Sequence, residues 1–133
     1  MLHIILGVFL ILHGAVHLWY VAMARKLVPA DADTIWSGRS WLLTRTLGDE
    51  MTMTLATIVY SVTTLVFLVA GIGLVAQQAW FATWAVTGAM LSLAGTIGFW
   101  DGKPDHPIEK GLLGIVIDVA IVVALLYFQW PSI

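Results

Sequence analysis

Four apolar stretches of roughly bilayer length follow one another along the chain, separated by polar breaks of very unequal size. The first runs from Leu2 to Ala24 and the second from about Met51 to Val75; the third covers Ala79 to Trp100, and the fourth about Ile108 to Trp130. A helix needs about 20 apolar residues to cross the hydrocarbon core. In lipid each stretch must satisfy its own backbone hydrogen bonds, so each is expected to be helical. The break between the second and third is only Gln77 and Gln78, which forces a tight hairpin and makes those two helices neighbours. The expected fold class is all-α: one polytopic membrane domain over residues 1–133, with four transmembrane helices in an antiparallel bundle. "AMA" at Ala22–Ala24 has the look of a signal-peptide cleavage site. The start "MLHIILG" carries no Lys or Arg, however, and the apolar run exceeds an h-region, so the first span is expected to be retained.

The long break, residues 25–50, is a loop with its own pattern. "VPADAD" reads as a turn, and "TIWSGRSWLLTRTL" mixes Trp36, Trp41, Leu42, Leu43 and Leu47 with Arg39 and Arg45. Such a mixture suits a short amphipathic helix in the headgroup plane, with Trp36, Arg39, Trp41 and Arg45 as the lipid-interface residues. A sharper version makes the segment a lid over an inward-facing cavity. No internal repeat is visible, so an inverted-repeat transporter is not supported.

Composition strengthens the membrane reading. The chain is 60% hydrophobic and 11% charged, with a mean hydropathy of +0.95, whereas a soluble domain carries about 25% charged residues. Six Lys and Arg against eight Asp and Glu give no basic field for nucleic acid. The absence of cysteine removes disulfides, thiolate metal sites and a Cys nucleophile. Arg25, Lys26, Arg39 and Arg45 lie between spans one and two, and Lys103 and Lys110 between or beside spans three and four. The positive-inside rule makes that side cytoplasmic and puts both termini outside, with the cell's inner (plasma) membrane as the expected location. Trp19, Trp36, Trp41 and Trp100 then fall toward the inner interface. Trp80 and Trp130 mark the outer one, with Trp84 a turn deeper.

Every charged side chain lies in or beside the two basic loops except Asp118, in "LLGIVIDVAIVV". An acid in mid-span costs on the order of 2.5–3.5 kcal/mol on insertion scales and normally faces the bundle with a partner. Gly111, Gly114 and Asp118 share helical spacing, and the glycines would let another helix approach. On the first helix, steps of three and four collect His3, Leu6, Leu10, His13, His17 and Tyr20 on one stripe. His13 and Asp118 lie at matching depth if helices one and four are antiparallel, so the two are expected to meet. A carboxylate orients an imidazole by accepting its N–H and stabilises its protonated form. The pair therefore has a structural role in packing helices one and four as its plainest meaning, with proton handling or ligand binding as the sharper ones.

Other polar groups are weighed beside it. His13-x-x-x-His17 is a usable bidentate metal arrangement, but completing a set would require Asp118 or, across the loop "WDGKPDHPIEK", Asp101, Asp105 and His106. No firm metal centre is expected on His13, His17, Asp101 and His106, because only the first two share a helix and the others would have to come from a loop; His106, just before Pro107, suits a helix cap. Thr54, Thr57, Ser61 and Thr64 on the second span are expected to be a packing surface, as are Ala85, Gly88, Ala89, Ser92 and Gly95 on the third.

"IILGVFLILHGAVHLWY" resembles the opening helix of DoxX-like proteins, small bacterial four-helix membrane proteins in which an apolar run ends in a His-Gly pair followed by a basic residue. His13 and Gly14 match that pair, with His17 in place of the usual lysine. The resemblance covers one helix and the four-span plan, and it implies a redox accessory role, since some relatives are linked to quinone-coupled sulfur oxidation.

Three functions compete on these residues. The foremost expectation is a non-enzymatic accessory subunit or homo-oligomeric module, partnered by the lipid bilayer and by other membrane subunits or copies of itself. The second is a binder or carrier of a lipophilic molecule (a quinone, pigment or lipid) held at His13, His17, Tyr20 and Asp118. The third is a proton-coupled transporter or membrane enzyme with His13 and Asp118 as its catalytic relay.

Overall fold

The computed structural model describes residues 1–28 and 36–132. Most of "VPADAD" therefore lies outside the described residues. The described chain is all-helical: α1 Leu2–Ala24, α2 Thr44–Val75, α3 Phe81–Gly98 and α4 Leu112–Leu126. Three of these, α1, α2 and α3, are long and apolar enough to cross a membrane; α4 has 15 residues.

Helices α1 and α2 meet where neither has a side chain. A methyl group on Gly71 would sit 2.5 Å from the Gly7 carbonyl oxygen, and one on Gly7 would sit 2.7 Å from that of Gly71. Further along α1, a methyl on Gly14 would lie 2.5 Å from Phe67 Cβ. Contacts thus move backward along α2 as they move forward along α1, and the two helices run in opposite directions. Thr64 Oγ1 adds a hydrogen bond to the Gly14 carbonyl at 3.0 Å. The same descent links α2 to α3: Gly88 faces the Phe67 ring and Gly95 faces Tyr60. Small residues at a helical interface permit this close approach in lipid. The expected α3 stripe of Ala85, Gly88, Ala89, Ser92 and Gly95 is buried.

The stripe expected on α2 is displaced by about one residue. Thr54 is exposed, and Thr54 and Thr57 hydrogen-bond to carbonyls four residues back on their own helix. The buried face consists instead of Thr52, Ala56, Tyr60, Thr63, Phe67, Ala70 and Leu74. Hydroxyls can satisfy themselves locally in a helix, so their spacing alone did not mark the packing face.

The fourth helix begins later than its apolar pattern suggests. Residues 105–111 form turns, with His106 at φ 47° and Gly111 at φ 102°, so His106 does not cap a helix running from Pro107. Gly111 is required twice over. Its positive φ favours glycine, and a methyl there would lie 2.7 Å from Thr96 Cγ2 and 3.0 Å from the Tyr20 hydroxyl. Gly114, by contrast, has no neighbour within 4 Å, so it does not serve the close approach expected of it.

The Trp-rich loop is built differently from the amphipathic helix expected. Residues 36–43 are irregular, helix resumes at Thr44, and a bend at Gly48 (φ 79°) separates that first turn from the apolar body of α2. The segment docks on the C-terminal end of α3 and supplies donors to four successive carbonyls. Trp41 Nε1 donates to Ile97, Ser40 Oγ to Gly98, Trp36 Nε1 to Phe99 and the Trp41 backbone N–H to Trp100. The last carbonyls of a helix have no intrahelical partners, which is the physical reason these residues turn toward protein. Trp36, expected among the lipid-interface residues, is buried against protein (8% exposed).

Close backbone packing joins α1 to α2, α2 to α3 and α3 to α4. Helices α1 and α4 meet through side chains instead, and that junction holds the polar centre.

Candidate functional site

His13 and His17 are four residues apart on α1, so their imidazoles leave the same face. Gly14, between them, leaves a notch that Phe67 of α2 enters. The Phe67 ring lies 4.9 Å from His13, edge-on, and 6.0 Å from His17, stacked. This wedge sends the two histidines to different partners.

His13 turns to α4. Its Nε2 lies 2.8 Å from Asp118 Oδ1, where the imidazole donates to the carboxylate. The two residues are 7% and 0% exposed. Phe9 stacks on the other side of the His13 ring, with centroids 6.1 Å apart and planes 9° from parallel. The second carboxylate oxygen, Oδ2, is buried with no hydrogen-bond partner among the described residues. Such an atom is rare in native interiors, and it concentrates the carboxylate's dependence on His13.

His17 turns to α2 and α3. Its Nδ1 is 3.2 Å from the carbonyls of His13 and Gly14, so this nitrogen carries the hydrogen. Nε2 is then free to accept from Ser92 Oγ at 2.7 Å. Both ring nitrogens are occupied. Tyr20 lies a turn farther along, stacked on Tyr60 at 4.9 Å, with its hydroxyl 3.4 Å from the Glu109 carbonyl. His3 sits at the opposite end of the stripe, its ring 3.1 Å from the Gln77 side-chain amide.

The expected four-residue site is thus resolved into parts. His13 and Asp118 are joined; His17 is adjacent but committed to Ser92; Tyr20 belongs to the rim near the loops. Phe67, Ser92 and Thr64 also shape the site; the sequence marks Ser92 and Thr64 only as packing residues and leaves Phe67 unmarked. The glycine between two histidines was the available signal for Phe67, since it leaves room for a large side chain. Ser92 could have been marked as the hydroxyl central to an otherwise methyl-sized stripe.

The proposed metal set does not converge. Among the described residues no three His, Asp or Glu side chains stand close enough to share an ion. Asp101 instead accepts from Lys110 Nζ at 2.9 Å, and Lys110 also holds Asp105. That hydrogen bond from Lys110 keeps the Asp105 carboxyl below its ordinary value. For Lys110, loss of water acts to lower its pKa, but the bonds to Asp105 and Asp101 outweigh this and raise the ammonium above its ordinary value.

Beside the His13–Asp118 junction, on the side away from the loops, the α1–α4 boundary opens into an apolar groove of about 250 Å³. Leu6, Phe9 and Leu10 form one wall, Ile121 and Ala124 the other, and Phe81 of α3 the floor. Phe9 serves both places, lining the groove and covering the His13 ring. The groove is lined almost wholly by carbon, and Phe9 stacks between it and the His13 ring. No family model matches the chain, and neither does any curated protein or solved structure.

Proposed function

We propose that this protein is a four-span antiparallel membrane bundle that holds a lipophilic molecule between α1 and α4, with the His13–Asp118 tie defining the inner end of the site. The observation that carries the reading is the 250 Å³ groove, placed where two helices are joined by a polar bridge rather than by close packing. Ligand sites are concave, mostly apolar and limited by a few polar groups, and this one opens where a membrane-dissolved molecule would enter. The apolar lining suits an acyl or prenyl chain. A head group that accepts or donates a hydrogen bond would approach His13 and Asp118 past Phe9.

Membrane residence in this proposal is supported by the three long apolar helices. A 15-residue helix is about 22 Å long, short of the roughly 30 Å hydrocarbon core. The fourth crossing would be completed by the apolar and aromatic residues after Leu126, including Phe128 and Trp130. Arg39, Arg45 and Lys103 line one pocket, so the two basic loops share one end of the bundle; by the positive-inside rule that end is taken as cytoplasmic, with both termini outside. An accessory or self-associating role uses the same fold, but the groove favours the ligand reading over a bundle whose surface alone does the work.

Native mass spectrometry of the full chain in mild detergent tests this. We expect one lipophilic molecule per chain, identified as lipid, quinone or pigment by the mass and absorbance of the extract. Ala124→Phe should fill the groove and abolish retention while the protein stays folded. Undiminished retention in that variant would overturn the proposal.

A further inference from the structure

The loop docked on α3 creates a second, chemically opposite site. A pocket of about 410 Å³ lies beneath residues 37–45, lined by Arg39 and Arg45 from the loop and the start of α2, and by Lys103 from beyond α3. Ser37, Ser40 and Thr44 add hydroxyls, and Asp101 is the acid on its wall. The capping bonds from Trp36, Ser40 and Trp41 to α3 bring these segments together: Arg39 and Lys103 are far apart in sequence but share a cavity because the loop is fastened there.

The charge balance of the pocket is positive. Asp101 is already engaged by Lys110, with its side chain 3% exposed. Arg39 meets Asp49 at 3.3 Å, but both side chains are largely in water, where such a pair contributes little. Arg45 and Lys103 form no ion pair among the described residues; Asp31 and Asp33 lie outside them. Three cationic residues thus line one concavity, and an anion placed among them would be attracted by all three. Arginine forks match tetrahedral oxyanions with paired N–H donors. Trp41 and Trp100 at this end are half-exposed, as suits the interfacial level of a membrane protein.

We propose that this pocket binds the phosphate of a group with net negative charge, as an anionic lipid headgroup presents it at the membrane surface, and disfavours a zwitterionic headgroup whose choline cation the basic residues repel. It rests on different residues from the α1–α4 groove, so Ala124→Phe should leave it intact and the two proposals can fail separately.

The test measures thermal unfolding and binding of the full chain in nonionic detergent with three probes: phosphatidylglycerol, phosphatidylcholine and inorganic phosphate. We expect phosphatidylglycerol to bind and stabilise, with affinity that falls as salt rises. Arg39→Gln/Arg45→Gln/Lys103→Gln should weaken that binding about tenfold or more, as expected for lost charge-assisted bonds. Arg45→Gln and Lys103→Gln alone, on exposed side chains outside the capping bonds, should each weaken it several-fold and cover the case of a triple variant that does not fold. Competition by millimolar inorganic phosphate would support the pocket and assign a soluble phosphate as its source; binding of phosphatidylglycerol without such competition assigns the lipid. Equal affinity for phosphatidylglycerol and phosphatidylcholine, or unchanged binding in the variants, overturns the proposal.

Discussion

Replacing Asp118 with alanine is expected to lower stability by about 1–3 kcal/mol, the cost of leaving a buried polar group without its partner. Interhelical hydrogen bonds in membranes average only about 0.6 kcal/mol in double-mutant cycles, so the ordinary value of one bond would be small. The difference comes from what remains. His13 is 7% exposed and flanked by Phe9 and Phe67, so its Nε2 would lose the carboxylate in a largely apolar surrounding. Removing both polar groups should therefore be milder than removing one. His13→Leu/Asp118→Leu is expected to recover most of the stability lost in Asp118→Ala, because well-packed apolar replacements of buried pairs are often neutral or better. Equilibrium unfolding of the single and double variants in mixed micelles measures both. A double variant as unstable as the sum of its singles would show that the two side chains do not act as a unit.

The second large effect is expected at Gly71. Its missing side chain is what lets α1 and α2 touch backbone to backbone: a methyl there would meet the Gly7 oxygen and Ile11 Cγ1 at 2.5 Å. The oxygen cannot rotate away as a flexible side chain can, so the helices must separate. Gly71→Leu should cost about 3 kcal/mol, at the upper end of overpacking penalties. It should also loosen His13 indirectly, because α1 carries both the glycine contact and the imidazole. Gly114→Leu, at a position with open space around it, is the matched control and should be near neutral. Unfolding of the two variants side by side separates close packing from a general intolerance of bulk.

How much of this was legible in the residues follows from the kind of signal each feature leaves. The existence of four helices was readable because long hydrophobic runs have few alternative meanings; α1 matches its expected bounds, Leu2–Ala24. The meeting of His13 with Asp118 was readable because a lone mid-span acid needs a partner and depth selects one. The ends of α4 were not. Its apolar run begins at Pro107 and Ile108, but the turn at Gly111 depends on Thr96 and Tyr20 from other helices. The fastening of the loop was not legible for a related reason. Tryptophan, arginine and leucine in alternation suit an interfacial helix, whereas Trp36, Ser40 and Trp41 are recruited by the unsatisfied carbonyls of α3, a partner that local periodicity does not reveal. The groove is likewise a property of spacing between helices, written in no single stretch.

The central claim is that a buried imidazole and a buried carboxylate tie the first helix to the last. Solid-state NMR measures it most directly, through the dipolar coupling between 15N-labelled His13 Nε2 and 13C-labelled Asp118 Cγ in the full chain reconstituted in lipid. A hydrogen bond of 2.8 Å places these nuclei within about 4 Å, and a strong coupling is expected that disappears in Asp118→Ala. Absence of that coupling in folded wild-type protein would contradict the account.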